Sequence, residues 1–239
     1  ARFKLNNPIQ AVDGNIHAIN QLVAKTLYNQ LKLSPRNLDT RHFINMPLKL
    51  GDKYNNHNLT DTLRALSVTT DSQYIVFGEI NDLSVEFSDK NSLSYWIRNP
   101  QRHFYLSVYL YDTMQGILLS AKQYRAQAPW QYNQHESADL QSKLFWQKQY
   151  GQAIISVLDN INIDLQKQLQ CQLPTGKIIS VRNNRVQINL GKRNGIKEGA
   201  HLSLSYSSNY KDQFGIERNS ESLYQDTMEV IEAHEKTAI

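Results

Sequence analysis

Cysteine is almost absent: the 239 residues hold one, Cys171, so no disulfide can close within the chain and no multi-cysteine zinc site can form. Cys171 is expected either as a buried thiol or as the partner of a cysteine outside this segment. Long apolar runs are missing too. Hydrophobic residues make up 40% of the chain, and no stretch approaches the roughly 20 apolar residues that span a bilayer, so a globular chain is expected. The opening Ala1-Arg-Phe-Lys4 has neither an initiator methionine nor the apolar segment of a signal peptide. It reads as a processed chain or an excised piece, and compartment cannot be taken from targeting signals.

A strong excess of one charge is also lacking. The net charge of +4 is weak ground for a polyanion partner. Its distribution weakens that ground further. Residues 177–200 carry six bases, Lys177, Arg182, Arg185, Lys192, Arg193 and Lys197, against the single acid Glu198, whereas from His201 onward three bases face seven acids. Folded together, the two stretches largely cancel.

Catalytic signatures are missing as well. The histidines, at 17, 42, 57, 103, 135, 201 and 234, include no pair three or four apart that would put two metal ligands on one helix face. There is no nucleophile elbow and no P-loop, because Gly191-Lys192 lacks the preceding glycine and the following Ser/Thr that hold phosphate and magnesium. Gly191, Gly195 and Gly199 read as loop geometry. Glu79 and Asp82 lie three apart on a predicted strand and so point to opposite faces, which is wrong for an acid–base pair. No enzyme, cofactor or metal is expected.

What is present centres on Gln73–Phe87. Tyr74 to Phe77 is an unbroken aromatic and β-branched run suited to a strand covered on both faces, and alternation follows from Ile80. Arg102 to Tyr111 and Ile117 to Ala126 form a hairpin around Asp112–Gly116, with Phe104, Leu106, Val108 and Leu110 on one face. Tyr105, Tyr109 and Tyr111 alternate on the other, as cross-strand packing or as a binding surface. Helices must cover such a sheet. A 3.6-residue stripe from Ile16 to Leu31 predicts one, begun by the cap-type Asp13-Gly-Asn15 and stopped near Ser34-Pro35; Leu59, Leu63 and Leu66 predict a second, capped by Asn58. A long stripe from Ala138 to Leu169 predicts a third, whose Gly151 suggests close contact with the sheet. Ahead of the first helix Arg2 to Leu5 is a predicted edge strand, and between the first two His42 to Leu50 is a short one.

The pattern changes between Gln170 and Gly176, giving expected domains at 1–172 and 173–239. Lys177–Arg182, Asn183-Asn184 and Arg185–Leu190 read as strand, two-residue turn and strand; His201–Tyr206, a polar loop Ser207–Ser220 and a last strand Thr227–His234 follow. This predicts a small all-β barrel, open or short of one strand.

With these elements placed, particular residues resemble a known family. Asn7-Pro-Ile-Gln10, Asp13-Gly14, Tyr74–Leu83, Tyr111-Asp112, Gly116, Trp130, Phe145-Trp146 and Tyr150-Gly151 are similar to the middle domain of flagellar assembly protein T. Gly176–Ile179, Asn189–Gly191, Gly195-Ile196, Gly199 and Gln213–Gly215 are similar to its C-terminal domain. The resemblance implies an α+β chain: a TolB N-terminal-like α/β domain, with a mixed sheet covered by helices, followed by the small barrel. It also implies a periplasmic, non-enzymatic component of the H ring around the flagellar basal body, which self-associates in a ring and recruits stator-associated proteins for motility. Nucleic-acid binding and ligand binding by a small barrel remain the alternative functions. Candidate partner-binding residues are Tyr95, Trp96 and Ile97, an apolar knot in the predicted loop Ser88–Gln101 that either forms a contact site or folds back as an extra edge strand or a lid over one end of the sheet, and Lys192, Arg193 and Lys197 of the basic stretch.

Overall fold

Alternation along one strand organises the first part of the fold. In this computed structural model, which describes residues 1–33, 43–45, 56–86, 100–133, 136–170 and 172–239, the chain divides into two units, Ala1–Gln172 and Leu173–Ile239. In the first, β1 (Lys4–Leu5), β2 (Tyr74–Asp82), β3 (Val85–Glu86), β4 (Gln101–Asp112) and β5 (Ile117–Pro129) form a mixed sheet. β1 runs parallel to β2, while β4 is antiparallel to β2, β3 and β5. Both β2 and β3 lie along the same side of β4, with Ile80 opposite Leu106 and Val85 opposite Arg102.

Residues of one parity on β4 (Arg102, Phe104, Leu106, Val108 and Leu110) are all buried. They pack with Val23 and Leu27 of α1 (Ile19–Lys32) and with Ile154, Leu158 and Ile161 of α4 (Gln149–Gln170). The opposite parity meets a second cover. Ile75, Phe77 and Tyr111 pack against Leu59, Leu63 and Leu66 of α2 (Asn56–Thr70). Apolar cover on both faces is what the unbroken Tyr74–Phe77 run calls for.

Several expectations need correction. Asp13-Gly-Asn15 forms a 3-10 turn instead of capping α1, because Gly14 (φ 76°) and Asn15 (φ 53°) adopt left-handed geometry that a helix cannot continue; Ala18 then makes no side-chain cap. The expected cap Asn58 lies within α2. Residues 43–45 form no strand, and the rest of that prediction lies outside the described residues. The long third helix is broken into α3 (Lys143–Gln147) and α4 by Lys148, whose ψ of 156° is extended. Gly151 therefore approaches the backbone of α3, not the sheet. A Cβ there would overlap the Phe145 carbonyl oxygen and sit 2.7 Å from Trp146 Cα.

In the second unit, β6 (Ile178–Arg182) and β7 (Arg185–Ile188) form one hairpin and β8 (His201–Lys211) and β9 (Glu217–Glu229) another. Asn183 and Asn184, at φ 47° and 64°, make the turn of the first. Among the described residues no barrel closes, since each hairpin is its own two-stranded sheet. The expected loop at 207–220 shrinks to 212–216, where Asp212 Oδ1 accepts from the backbone N–H of Phe214 and Ile216; polar residues pair as well as apolar ones in a ribbon exposed on its flanks. The predicted last strand ends at Glu229. A small core of Ile188, Leu190, Ile196, Val230, Ala233 and Ala238 ties the bases of the hairpins together.

Candidate interaction surfaces

The basic loop after β7 is a built feature. Asn194 Oδ1 accepts from Gly191 N–H at 3.1 Å, and Lys192 and Arg193 donate backbone N–H groups to the carbonyls of His234 and Glu235. A Cβ on Gly191 would stand 2.6 Å from Thr237 N, so only glycine lets the two segments close on each other. Ile196 is buried in the core below, which presents Lys192 and Lys197 outward. Arg193 is committed elsewhere. Its Nε pairs with Glu235 Oε1 at 2.7 Å. Of the other predicted contact residues, Tyr95, Trp96 and Ile97 lie outside the described residues.

A residue that the sequence reading passed over proves to be the largest fully buried side chain among the described residues. Arg102 is fully buried, and among the described residues no ion pair is seen to it, although the nearby Asp13 carboxylate favours its charged form. Its Nη1 donates to the Asp13 carbonyl at 2.8 Å and its Nη2 to the Gln10 carbonyl at 2.7 Å, both in the 3-10 turns ahead of α1. The guanidinium lies 4.3 Å from the centre of the Trp130 ring and 5.7 Å from that of Tyr150. Peptide dipoles and ring faces thus replace a counter-ion. Burial lowers the pKa of Arg102 from its ordinary value, and burial likewise raises that of Tyr150, whose hydroxyl donates to the His103 carbonyl. Gly14 closes the site: a Cβ there would overlap Trp130. The signal in the sequence was parity, since an arginine in step with Phe104, Leu106, Val108 and Leu110 must enter the core.

The tyrosine face is packed. Tyr109 stacks on Phe77 at 4.9 Å, Tyr111 lies 5.7 Å from the same ring, and Arg125 covers Tyr105 at 3.9 Å. A shallow pocket lies on the opposite side of the sheet, between β4, β5 and α4, where Tyr124 donates to Asp164 at 2.8 Å and Lys122 pairs with the same carboxylate at 3.1 Å. Glu79 and Asp82 are not brought together: Glu79 pairs with Lys4 at 3.8 Å, while Asp82 accepts from Ser84 N–H at 2.9 Å. Among the described residues no three potential metal ligands converge, and no helix is long and apolar enough to cross a membrane.

Comparison with known proteins follows the same division of the chain. The family model described as flagellar assembly protein T, middle domain, matches residues 1–140, and the one described as flagellar assembly protein T, C-terminal domain, matches residues 183–239. No curated protein matches. Among solved structures, a hypothetical protein from Chlamydia trachomatis is similar at 10% identity and a TM-score of 0.46, covering 72% of this chain and 96% of its own. A lipoprotein from Neisseria meningitidis is similar at 10% identity and a TM-score of 0.32, covering 66% of this chain and 91% of its own.

Proposed function

This chain belongs to the flagellar assembly protein T family, and we propose that it acts in the periplasm as a non-catalytic component of the ring around the flagellar basal body, helping that ring form and recruiting stator-associated proteins. The observation that carries the reading is the ordered pair of family matches, middle domain on 1–140 and C-terminal domain on 183–239. In the same reading, residues 1–172 are a TolB N-terminal-like domain and residues 173–239 a barrel-derived domain. Contacts with other ring proteins run through Tyr95, Trp96 and Ile97 and through the loop bearing Lys192, Arg193 and Lys197. Support for the loop is physical: it is held rigidly by the 234–237 backbone while Lys192 and Lys197 stay exposed. The nucleic-acid alternative is weakened by the Arg193–Glu235 pair, which takes one cation out of the basic stretch.

The test is genetic and cell-biological. A deletion strain should lose swimming, regain it from the intact gene, and show a tagged protein at the flagellar base in the periplasmic fraction. Normal swimming in the deletion strain, or a protein found only in the cytoplasm, would overturn the reading.

A further inference from the structure

The β8–β9 ribbon, about 35 Å long for an 11-residue strand, leaves the small core of its unit with apolar side chains still exposed. Leu202, near its base, packs against that core. Farther out, Tyr206 and Tyr210 lie four apart in regular register, opposite Ser222 and Arg218, and so share one face. They are 56% and 53% exposed, and Phe214 at the tip is 75% exposed. A strand that alternates Leu202, Ser203, Leu204, Ser205, Tyr206 carries the pattern of a half-buried strand, yet nothing among the described residues of its unit buries the outer part.

The same unit holds a second incomplete surface of opposite charge. On β6, Ile179 and Val181 are 53% and 65% exposed, and Arg182 and Arg185 stand exposed at the turn beside them. The ribbon from His201 to Glu229 has five acids against two bases, whereas the remainder of the unit has seven bases against three acids. Two like-charged ribbons would repel. An acidic, aromatic ribbon and a basic, aliphatic hairpin fit each other.

We propose that the β8–β9 ribbon of one copy docks on the β6–β7 hairpin of a second copy, Tyr206 and Tyr210 covering Ile179 and Val181. This contact joins two different surfaces, so it propagates from copy to copy and closes into a ring or extends as a filament according to its rotation. It rests on the ring-component reading for its biological setting and on charge and exposed apolar surface for its chemistry.

Sedimentation of the full chain over a concentration series tests it. Association in the range of about 1–10 µM is expected, weakening about tenfold or more between roughly 0.05 and 0.5 M salt because exposed charges are screened. A ribbon variant, Tyr206→Thr with Tyr210→Thr, and a hairpin variant, Ile179→Thr with Val181→Thr, keep strand propensity. Each alone should be monomeric and melt like the parent, while their mixture should give a one-to-one complex through the intact surface left on each. Should a variant melt early, Arg182→Glu with Arg185→Glu at the exposed turn replaces the hairpin variant, and Asp226→Lys with Glu229→Lys replaces the ribbon variant. A parent that stays monomeric at about 100 µM overturns the proposal, as does a hairpin variant that associates like the parent or a mixture of folded variants that stays monomeric. A monomeric parent chain whose gene still restores swimming sinks the copy-to-copy contact and leaves the flagellar reading standing; an associating chain whose gene does not restore swimming does the opposite.

Discussion

Arg102→Ala should be among the most destabilising single substitutions in the first unit, and the size of the effect follows from what the guanidinium touches. Its removal leaves the Gln10 and Asp13 carbonyls without their donors in a site closed by Trp130 and Tyr150. Two unsatisfied buried carbonyls cost about 1–3 kcal/mol each, and loss of the ring contacts adds about 1 kcal/mol. These sum to about 3–7 kcal/mol, and relief of the desolvation of the buried cation offsets about 2–3 kcal/mol of it. A net loss of about 1–4 kcal/mol is expected. For a unit of this size that corresponds to a fall in melting temperature of roughly 2–16 °C. Circular dichroism at the helical minimum reads this unit selectively, because α1 to α4 all lie within it. Arg102→Lys should lie between parent and alanine variant, since one ammonium cannot reproduce a fork that reaches two carbonyls. Gly14→Ala should destabilise by a similar route, through overlap with Trp130 and a left-handed φ. If Arg102→Ala melts within about 2 °C of the parent, carbonyl satisfaction is not what this buried charge supplies, and the reasoning fails.

Four further outcomes are expected. Gly151→Ala, which helix propensity alone would favour by about 1 kcal/mol, should instead destabilise by about 1–3 kcal/mol, because the new methyl meets the Phe145 carbonyl; a rise in melting temperature would contradict the packing of α3 on α4. The hydrogen bond from Tyr124, with that from Lys122, lowers the pKa of Asp164 below its ordinary 3.8, so its contribution is complete above about pH 4 and is lost as pH falls through the folded value. Urea titrations of Asp164→Asn should therefore differ from the parent at pH 6 and converge with it as the pH falls below the folded value, and a constant gap would be contrary. Limited proteolysis should cut first between Gln170 and Gly176 or at residues 212–216, whereas a first cut near Gly151 would contradict the domain division. Trp96→Ala should leave the melting temperature nearly unchanged and impair swimming, and early melting or normal swimming would count against a contact role for that loop.

The parts of the fold visible in the sequence are those where one periodicity maps to one surface. The β4–β5 hairpin was readable because Phe104, Leu106, Val108 and Leu110 alternate without interruption and Asp112–Gly116 supplies turn chemistry. The break between α3 and α4 was not, because Trp146, Tyr150 and Ile154 keep a helical spacing of four across Lys148 while the backbone there turns extended. Periodicity records which side chains are apolar, not whether the intervening peptide is helical. In the second unit the long ribbon was hidden by its own polarity: serines and asparagines between Tyr206 and Ser220 read as a loop, and only cross-strand pairing, a non-local property, makes them strand. The candidate contact residues came from composition alone. Composition marked Lys192, Arg193 and Lys197 alike, but could not reveal that Glu235, 42 residues further on, occupies one of them.

Several of the residues that carry the family resemblance in the first unit have a physical reason to occur together. Gln10 and Asp13 offer carbonyls, Gly14 clears space for Trp130, Trp130 and Tyr150 offer ring faces, and Gly151 lets Phe145 and Trp146 close beside Tyr150. All of them converge on or beside one buried cation from β4. Losing Arg102, Trp130 or Tyr150 leaves a carbonyl, a charge or a cavity uncompensated, and a side chain at Gly14 or Gly151 overlaps its neighbours, whereas the Gln10 and Asp13 carbonyls are backbone groups that survive substitution of those side chains. The cluster also cannot be a contact surface, since Arg102, Trp130 and Tyr150 are buried. That part of the resemblance is therefore a pattern of support for the fold. Partner recognition has to be sought on groups that remain exposed, among them Lys192 and Lys197 on the glycine loop and the tyrosine face of the β8–β9 ribbon. Substituting the buried cluster should remove function only together with the fold, whereas substituting those exposed groups should remove function and leave the melting temperature in place.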